Sequence, residues 1–211
     1  MQKDWFYSVA AASEYVKVIS KSRFITTLEP IENYDEAIEK LKAISKKYSD
    51  ATHNCYAFIS NDSATEQRFS DDGEPQGTAG LPMLEVLKKR KVHKTLAVVT
   101  RYFGGVKLGA SGLVGAYSSS VAEALDTSSI VKNVWADIAL VTADYGAYKK
   151  IEEICKSYDG EVVGVNFDRE VELKVALPSQ NTKGFFDKII DFTLGKSKAS
   201  ILESKYYQFK L

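Results

Sequence analysis

Two short blocks of the 211-residue sequence hold most of the groups able to do chemistry. The first is D-D-G-E-P-Q-G-T-A-G, Asp71 to Gly80, with three carboxylates and three glycines in ten residues. Ionised carboxylates accept hydrogen bonds, pair with cations or give oxygens to a divalent metal. Asp71, Asp72 and Glu74 stand too close together to be three independent solvated charges. Gly73, Pro75, Gly77 and Thr78 shape the loop around them. The same residues also read as a tight turn whose carboxylates accept backbone N–H groups.

The second block is R-Y-F-G-G-V-K-L-G-A-S-G-L-V-G-A-Y-S-S-S, Arg101 to Ser120. It reads as strand, glycine loop and helix. The N–H groups of Gly104, Gly105 and Gly109, backed by the positive end of the helix, would attract an anion, and Lys107 would add a point charge. Alternatively, Gly104, Gly105, Gly109, Gly112 and Gly115 let the helix pack closely on a sheet. Neither G-x-x-x-x-G-K-[ST] nor G-x-G-x-x-G occurs. No complete catalytic set can be assembled from these residues: Arg101, Lys107 and the three carboxylates bind charge but supply no Ser-His-Asp or paired-His pattern.

The remaining reactive types are sparse. His53 and His93 are the two histidines, and Cys55 and Cys155 lie a hundred residues apart. Without C-x-x-C or H-E-x-x-H spacing, no metal and no cofactor is expected. Two distant cysteines fit a reduced, cytoplasmic protein. Cys55 reads as a small buried residue and His53 as a hydrogen-bonded structural one. The run K-K-R-K-V-H-K places Lys88, Lys89, Arg90, Lys91 and Lys94 together. Such cations favour a helix C-terminus, or they contact RNA or a ribosome. Tyr206, Tyr207 and Phe209 read as sheet-packing aromatics, with base stacking as the alternative.

Composition narrows the function classes. Twenty-eight Lys and Arg balance 28 Asp and Glu, so a chain-wide polycation held to nucleic acid by counterion release is excluded. Hydrophobic residues at 45% exclude a disordered chain. The N-terminal residues lack a signal-peptide pattern, and no apolar run approaches roughly 18 residues, so no membrane partner is expected.

The elements that must carry these residues follow from their patterning. Tyr15–Ile19 and Phe24–Leu28 predict a hairpin around Ser-Lys-Ser. Asn33 and Glu36 predict a capping box opening a helix with Ile38, Leu41, Ile44 and Tyr48 on its core face. Asn54–Ser60 predicts a strand, and residues 61–80 a loop. Leu81–Arg90 predicts a short helix with Pro82 in its first turn, Thr95–Phe103 a strand, and a helix follows to about Asp126. Thr127–Asn133 reads as a linker. Beyond it come strand Val134–Thr142, helix Gly146–Tyr158, strands Glu161–Phe167 and Val171–Leu177, helix Thr182–Leu194 and strand Lys198–Lys210. The chain is thus expected to be α+β with two domains, 1–130 and 134–211, the second in the β-α-β-β-α-β order of the ferredoxin-like arrangement.

Four segments resemble the IMPACT family: K-S-R-F-I (Lys21 to Ile25), D-A-T-H-N-C-Y-A (Asp50 to Ala57), the Asp71 to Gly80 block and T-R-Y-F-G-G-V-K-L-G (Thr100 to Gly109). The resemblance is strong over about residues 1–125. It implies a first domain with the ribosomal protein S5 domain 2-like fold, a four-stranded sheet with helices on one side. It further implies translation-linked regulation, through ribosome, RNA or a translation factor, by a non-enzymatic protein. The alternative is a small-molecule enzyme that uses the two blocks for a phosphate ligand or a metal. Eukaryotic members carry an additional RWD domain. Because the chain opens on the Tyr15 hairpin, no RWD-mediated partner is expected. The family pattern L-G-A-G-G-L-V-R-A-Y is altered to L-G-A-S-G-L-V-G-A-Y. Ser111 and Gly115 replace glycine and arginine, and the lost arginine removes a bidentate anion contact. Asp71, Asp72, Gly73, Glu74, Pro75, Gly77 and Thr78 are expected to share one surface with Arg101, Gly104, Gly105, Lys107 and Gly109.

Overall fold

A computed structural model describes residues 5–209. The chain divides into two units, residues 6–131 and residues 132–209 together with Trp5.

The first unit is built on the strands β2 (Ser13–Ile19), β3 (Ser22–Pro30), β4 (His53–Ile59), β5 (Gln67–Ser70) and β6 (Thr95–Tyr102), in the antiparallel order β2-β3-β6-β4-β5. A further strand, β1 (Trp5–Val9), precedes them. Its Tyr7 N–H reaches the Lys91 carbonyl at 2.7 Å, and the His93 N–H returns to the Tyr7 carbonyl at 2.8 Å. Helix α1 (Tyr34–Lys47) starts where the Asn33 side chain accepts the Glu36 N–H at 3.0 Å. The Glu36 carboxylate takes the Glu32 N–H rather than that of Asn33, one residue further back than a strict capping box places it. Helices α2 (Gly80–Lys89) and α3 (Gly109–Thr127) complete the unit.

Three expectations for this unit are corrected. Residues 61–80 are not loop throughout, because β5 forms within them. As a four-residue, largely exposed edge strand it carries no hydrophobic alternation from which to read it. The sheet has five strands rather than four, and helices cover both faces rather than one. Ile44 and Ala37 of α1 pack with Phe58, Leu96 and Val98, while α2 and α3 pack through Met83, Leu87, Leu113 and Tyr117 on Phe24, Cys55, Ala97 and Val99. Alternate residues of β6 therefore point into two different cores, which is why nearly the whole strand is buried. Finally, the two units divide between residues 131 and 132, inside Thr127–Asn133, but that segment is not free of structure, since β7 (Ile130–Ala143) begins within it.

In the second unit, β7, α4 (Tyr148–Ser157), β8 (Glu161–Phe167), β9 (Val171–Pro178), α5 (Ser179–Thr193) and β10 (Lys198–Gln208) follow one another. Its strands lie antiparallel in the order β10-β7-β9-β8. Lys210, expected in the last strand, lies outside the described residues. Ile151, Ile154, Phe185 and Ile189 of the helices pack on Val141, Leu173 and Val175. Asp137, buried on β7, accepts hydroxyl donors from Ser179 at 2.8 Å, Thr182 at 2.7 Å and Ser204 at 2.6 Å. Burial alone would raise this carboxyl, but the three hydroxyls outweigh it and hold it below 3.8. A depressed carboxyl stabilises the fold above the unfolded-state value and loses that stabilisation as pH falls through the folded one. Urea midpoints measured from about pH 6 downward are expected to decline more steeply for wild type than for Asp137→Asn, the divergence opening below about pH 4.

Candidate functional site

The register of the first sheet assembles the site. β6 places Arg101 between Phe24 of β3 and His53 of β4, all three as direct cross-strand partners. Tyr117 descends from α3 onto the same face, and the loop after β5 carries Glu74 under it. Arg101 Nη1 donates to Glu74 Oε1 at 2.6 Å, and the Tyr117 hydroxyl donates to that same oxygen at 2.8 Å. Arg101 Nη2 donates to Ser22 Oγ at 3.3 Å, and the Gly104 N–H donates to Ser22 Oγ at 3.1 Å. The guanidinium carbon sits 5.3 Å from the Phe24 ring centroid and 5.5 Å from that of Phe103. Both charged side chains are at most 5% exposed. One donor, Arg101 Nε, is buried with no partner.

Around this pair the Cys55 thiol and the Tyr117 phenol are held protonated. The Cys55 thiol donates to the Asp71 carbonyl at 2.9 Å and lies 3.4 Å from the Tyr117 hydroxyl. Burial, reinforced by the nearby carboxylates and only partly offset by Tyr117, pushes it up to about 12. Burial likewise raises the Tyr117 phenol far above its ordinary value, with Cys55 and Glu74 adding to the effect. His53 Nε2 is 3.8 Å from Glu74 Oε1, and its Nδ1 bonds the Asp72 carbonyl at 2.8 Å.

The acidic block is spent on the fold. Asp71 accepts three backbone N–H groups, from Gly77 at 2.8 Å, Ala79 at 3.0 Å and Gly80 at 2.8 Å. It thereby caps α2 from nine residues upstream, where the residue at the cap position, Ala79, makes no side-chain bond. Asp72 accepts the Asn54 N–H at 2.6 Å. Thr78 Oγ1 donates to the Pro75 carbonyl at 2.6 Å. Asp72 and Gly73 both take positive φ, 41° and 83°, which turns the chain sharply enough to send Glu74 inward.

The glycine block is different at each end. A Cβ on Gly104 would run into the Lys21 carbonyl, so the loop and the β2–β3 turn touch backbone to backbone. Gly105 and Gly109, at φ 84° and 70°, have open space where a side chain would be. Lys107 is exposed, and α3 opens at Leu108 without a side-chain cap. The structure thus joins Glu74 directly to Arg101, and Arg101 to Gly104 through the shared Ser22 hydroxyl. It shows no bond from Lys107, Gly105 or Gly109 to the acidic loop. Sequence reasoning leaves Tyr117 inside the second block without a role, and it passes over Ser22 and Phe24. The clue to all three is their place in the motif segments K-S-R-F-I and L-V-G-A-Y.

Gly115 stands on the exposed side of α3, where a Cβ would meet nothing within 4 Å. Gly115→Arg is therefore expected to stabilise the protein by roughly 0.5–1 kcal/mol through helix propensity, read as a higher urea midpoint at unchanged m-value.

The basic run is interleaved with carboxylates. Lys88 pairs with Glu85 at 2.9 Å, Arg90 with Asp126, and Lys94 with Glu32 at 3.1 Å and Asp62 at 3.3 Å. Lys89 is exposed, and Lys91 holds a positive φ of 52° at the end of the helix turn. In the second unit Tyr206 packs edge-on to Trp135 at 5.1 Å and Tyr207 to Phe209 at 5.0 Å. Among the described residues, no three His, Cys, Asp or Glu side chains converge where a metal ion could be held.

Residues 20–125 match the model of the Impact N-terminal domain, and residues 141–196 match a domain of unknown function (DUF1949). The chain is 40% identical over 203 residues to the IMPACT family member YvyE of Bacillus subtilis (strain 168), covering 96% of this chain and 94% of that one. It is 35% identical to the IMPACT family member YigZ of Escherichia coli (strain K12), covering 92% and 96%. A solved structure described as "Crystal structure of an hypothetical protein" aligns with a TM-score of 0.60 at 34% identity, over 95% of this chain and 98% of that one.

Proposed function

The chain belongs to the IMPACT family, and on that premise we propose that it is a non-enzymatic, translation-linked binding protein that docks on ribosome, RNA or a translation factor. The observation that carries this reading is the state of the motif carboxylates. Asp71 is engaged by three backbone N–H groups, and Glu74 is buried in its pair with Arg101. Groups so engaged brace a surface; they do not act as acids, bases or metal ligands without first breaking the fold. In the second block Phe103, Gly105, Val106 and Lys107 face outward, next to an α3 N-terminus that attracts negative charge, and in the first block Asp72, Gly73, Pro75 and Gln76 are exposed as well. The protein acts in the cytoplasm in this reading. No described helix is long and apolar enough to cross a membrane.

The finer fold assignments belong to the same proposal. The order β10-β7-β9-β8 supports the ferredoxin-like arrangement for the second unit. For the first unit the S5 domain 2-like assignment rests on family resemblance, and the fifth strand and the helix on the opposite face are additions to it.

Sucrose-gradient co-sedimentation with ribosomes at low salt tests the proposal. Wild type is expected in the ribosomal fractions, with Lys107→Glu and Lys89→Glu both shifted toward the top. With only a few phosphates contacted, the salt dependence should be shallow. A wild type that stays at the top of the gradient at every salt concentration overturns it.

One observation favours a second reading, a phosphate ligand: the uncapped N-terminus of α3 beside Lys107 and two open glycines. A thermal-shift series with nucleotides and Mg²⁺ separates the two. A ligand present at a hundredfold excess over its Kd stabilises by about 2.7 kcal/mol, and an unchanged Tm throughout removes this reading.

A further inference from the structure

The outer edge of β2 is a seven-residue strand with no neighbour among the described residues. Its hairpin turn, Ser20 and Lys21, holds two residues at positive φ, 46° and 65°, with Ile19 directly opposite Ser22. In such a two-residue turn the flanking pair exchanges both hydrogen bonds, and the pattern then alternates along the ladder. Ile19, Lys17, Tyr15 and Ser13 therefore bond to β3. The N–H and C=O groups of Glu14, Val16 and Val18 point outward.

Proteins protect such edges with charges, prolines, bulges or brevity. The opposite edge, β5, is short. β2 has neither proline nor bulge, and its two charges are committed elsewhere. Lys17 is held by Glu123 at 2.5 Å and Ser119 at 3.1 Å, and Glu14 by Lys47 at 2.5 Å and Tyr48 at 2.8 Å. What remains on the outward-facing side is apolar: Val16 is 54% exposed and Val18 66%.

We infer that β2 is a self-pairing edge, through which two copies of this chain join antiparallel about Val16, extending each five-stranded sheet into the other. The strand is its own complement only in that register. A two-fold at Val16, the middle of Ser13–Ile19, pairs all seven residues with their counterparts. It sets Val16 beside Val16 and Val18 beside the already neutralised Glu14 on one face. On the other face it puts Lys17 against Tyr15, with a Glu123 carboxylate from each copy alongside. Sliding by one allowed step, to a two-fold at Lys17, opposes two lysines. A two-fold at Tyr15 leaves Val18 overhanging, and one at Glu14 leaves both valines overhanging. One strand pair is a small interface, so the dimer is weak and reversible.

Sedimentation equilibrium from about 10 µM to about 1 mM, together with oxidative cross-linking, tests this. Wild type is expected to follow a monomer–dimer equilibrium. Val16→Pro removes only an outward N–H, keeps the β2–β3 ladder, and is expected to raise the dissociation constant about tenfold or more. Val16→Lys, at an exposed position, does the same by opposing like charges and serves if the proline variant fails to fold. Val16→Cys places two thiols at paired positions, with Cα atoms about 5.5 Å apart, and is expected to form the disulfide dimer quickly. Val18→Cys separates them by about 14 Å and is expected not to. The native Cys55 and Cys155 are buried and do not compete. A wild type monomeric at about 1 mM, a Val16→Pro that dimerises as wild type does, or equal cross-linking at positions 16 and 18 would each overturn the proposal.

Discussion

Arg101→Leu is expected to cost about 3–5 kcal/mol of stability, read as a fall in the urea midpoint with unchanged m-value. The magnitude comes from what is left behind. Glu74 is 4% exposed on its side chain, so without the guanidinium its charge stays buried, with the Tyr117 hydroxyl still donating to it. Ser22 Oγ loses a donor, and the Phe24 and Phe103 rings lose the cation between them. Arg101→Lys does not rescue, because a single ammonium cannot reach Glu74 and Ser22 together in the fork that the guanidinium provides. Replacing both charges, Arg101→Leu with Glu74→Leu, should recover much of the loss, since apolar substitutes for a buried pair are often neutral. If the double variant is as unstable as Arg101→Leu alone, the cost lies in packing around the side chain rather than in an abandoned charge.

Asp71→Ala is the second large effect, with an expected loss of about 2–4 kcal/mol in the same measurement. Three N–H groups at the start of α2 lose their acceptor at once, and Ala79 and Gly80 are buried. Water cannot replace the carboxylate there as it would at an exposed cap. Asp71→Asn is expected to cost less than half as much. Its remaining carbonyl oxygen can serve Ala79 and Gly80, while the amide nitrogen faces the Gly77 N–H and repels it. A pair of variants with equal losses would mean that the charge, rather than the acceptor geometry, holds the loop.

What is legible in the sequence depends on how local the cause is. Asn33 announces α1 because its partner is three residues away. The burial of Cys55 follows from its place in an apolar strand with no activating neighbour. β5 is unreadable because Gln67, Arg68 and Phe69 are all exposed, so no face distinguishes itself. The two-sided core is readable in principle: β6 begins T-L-A-V-V-T, with no polar alternation to mark a solvent side. Which helix takes which face is not written in any one strand. The site is half legible. The clustering of Asp71, Asp72 and Glu74 suggests a centre, but whether their oxygens are free depends on Gly80, Arg101 and Tyr117, which only folding brings near. The aromatic Tyr117 looks from its spacing like one more core residue of α3, and its hydroxyl bond to Glu74 spans 43 positions.

Those spans bear on the order in which the protein is completed. Glu74 meets Arg101 across 27 positions, Tyr117 across 43, and Arg101 meets Ser22 across 79. Contacts of such separation come late, because the intervening chain must be ordered before they form. During synthesis the carboxylate emerges well before the phenol that shares its load. Until Tyr117 has left the ribosome, Glu74 and Arg101 lack their full shell. The outward-facing glycine loop, which hangs from Ser22 and Arg101, is therefore expected to be the last part of the first unit to take its final shape.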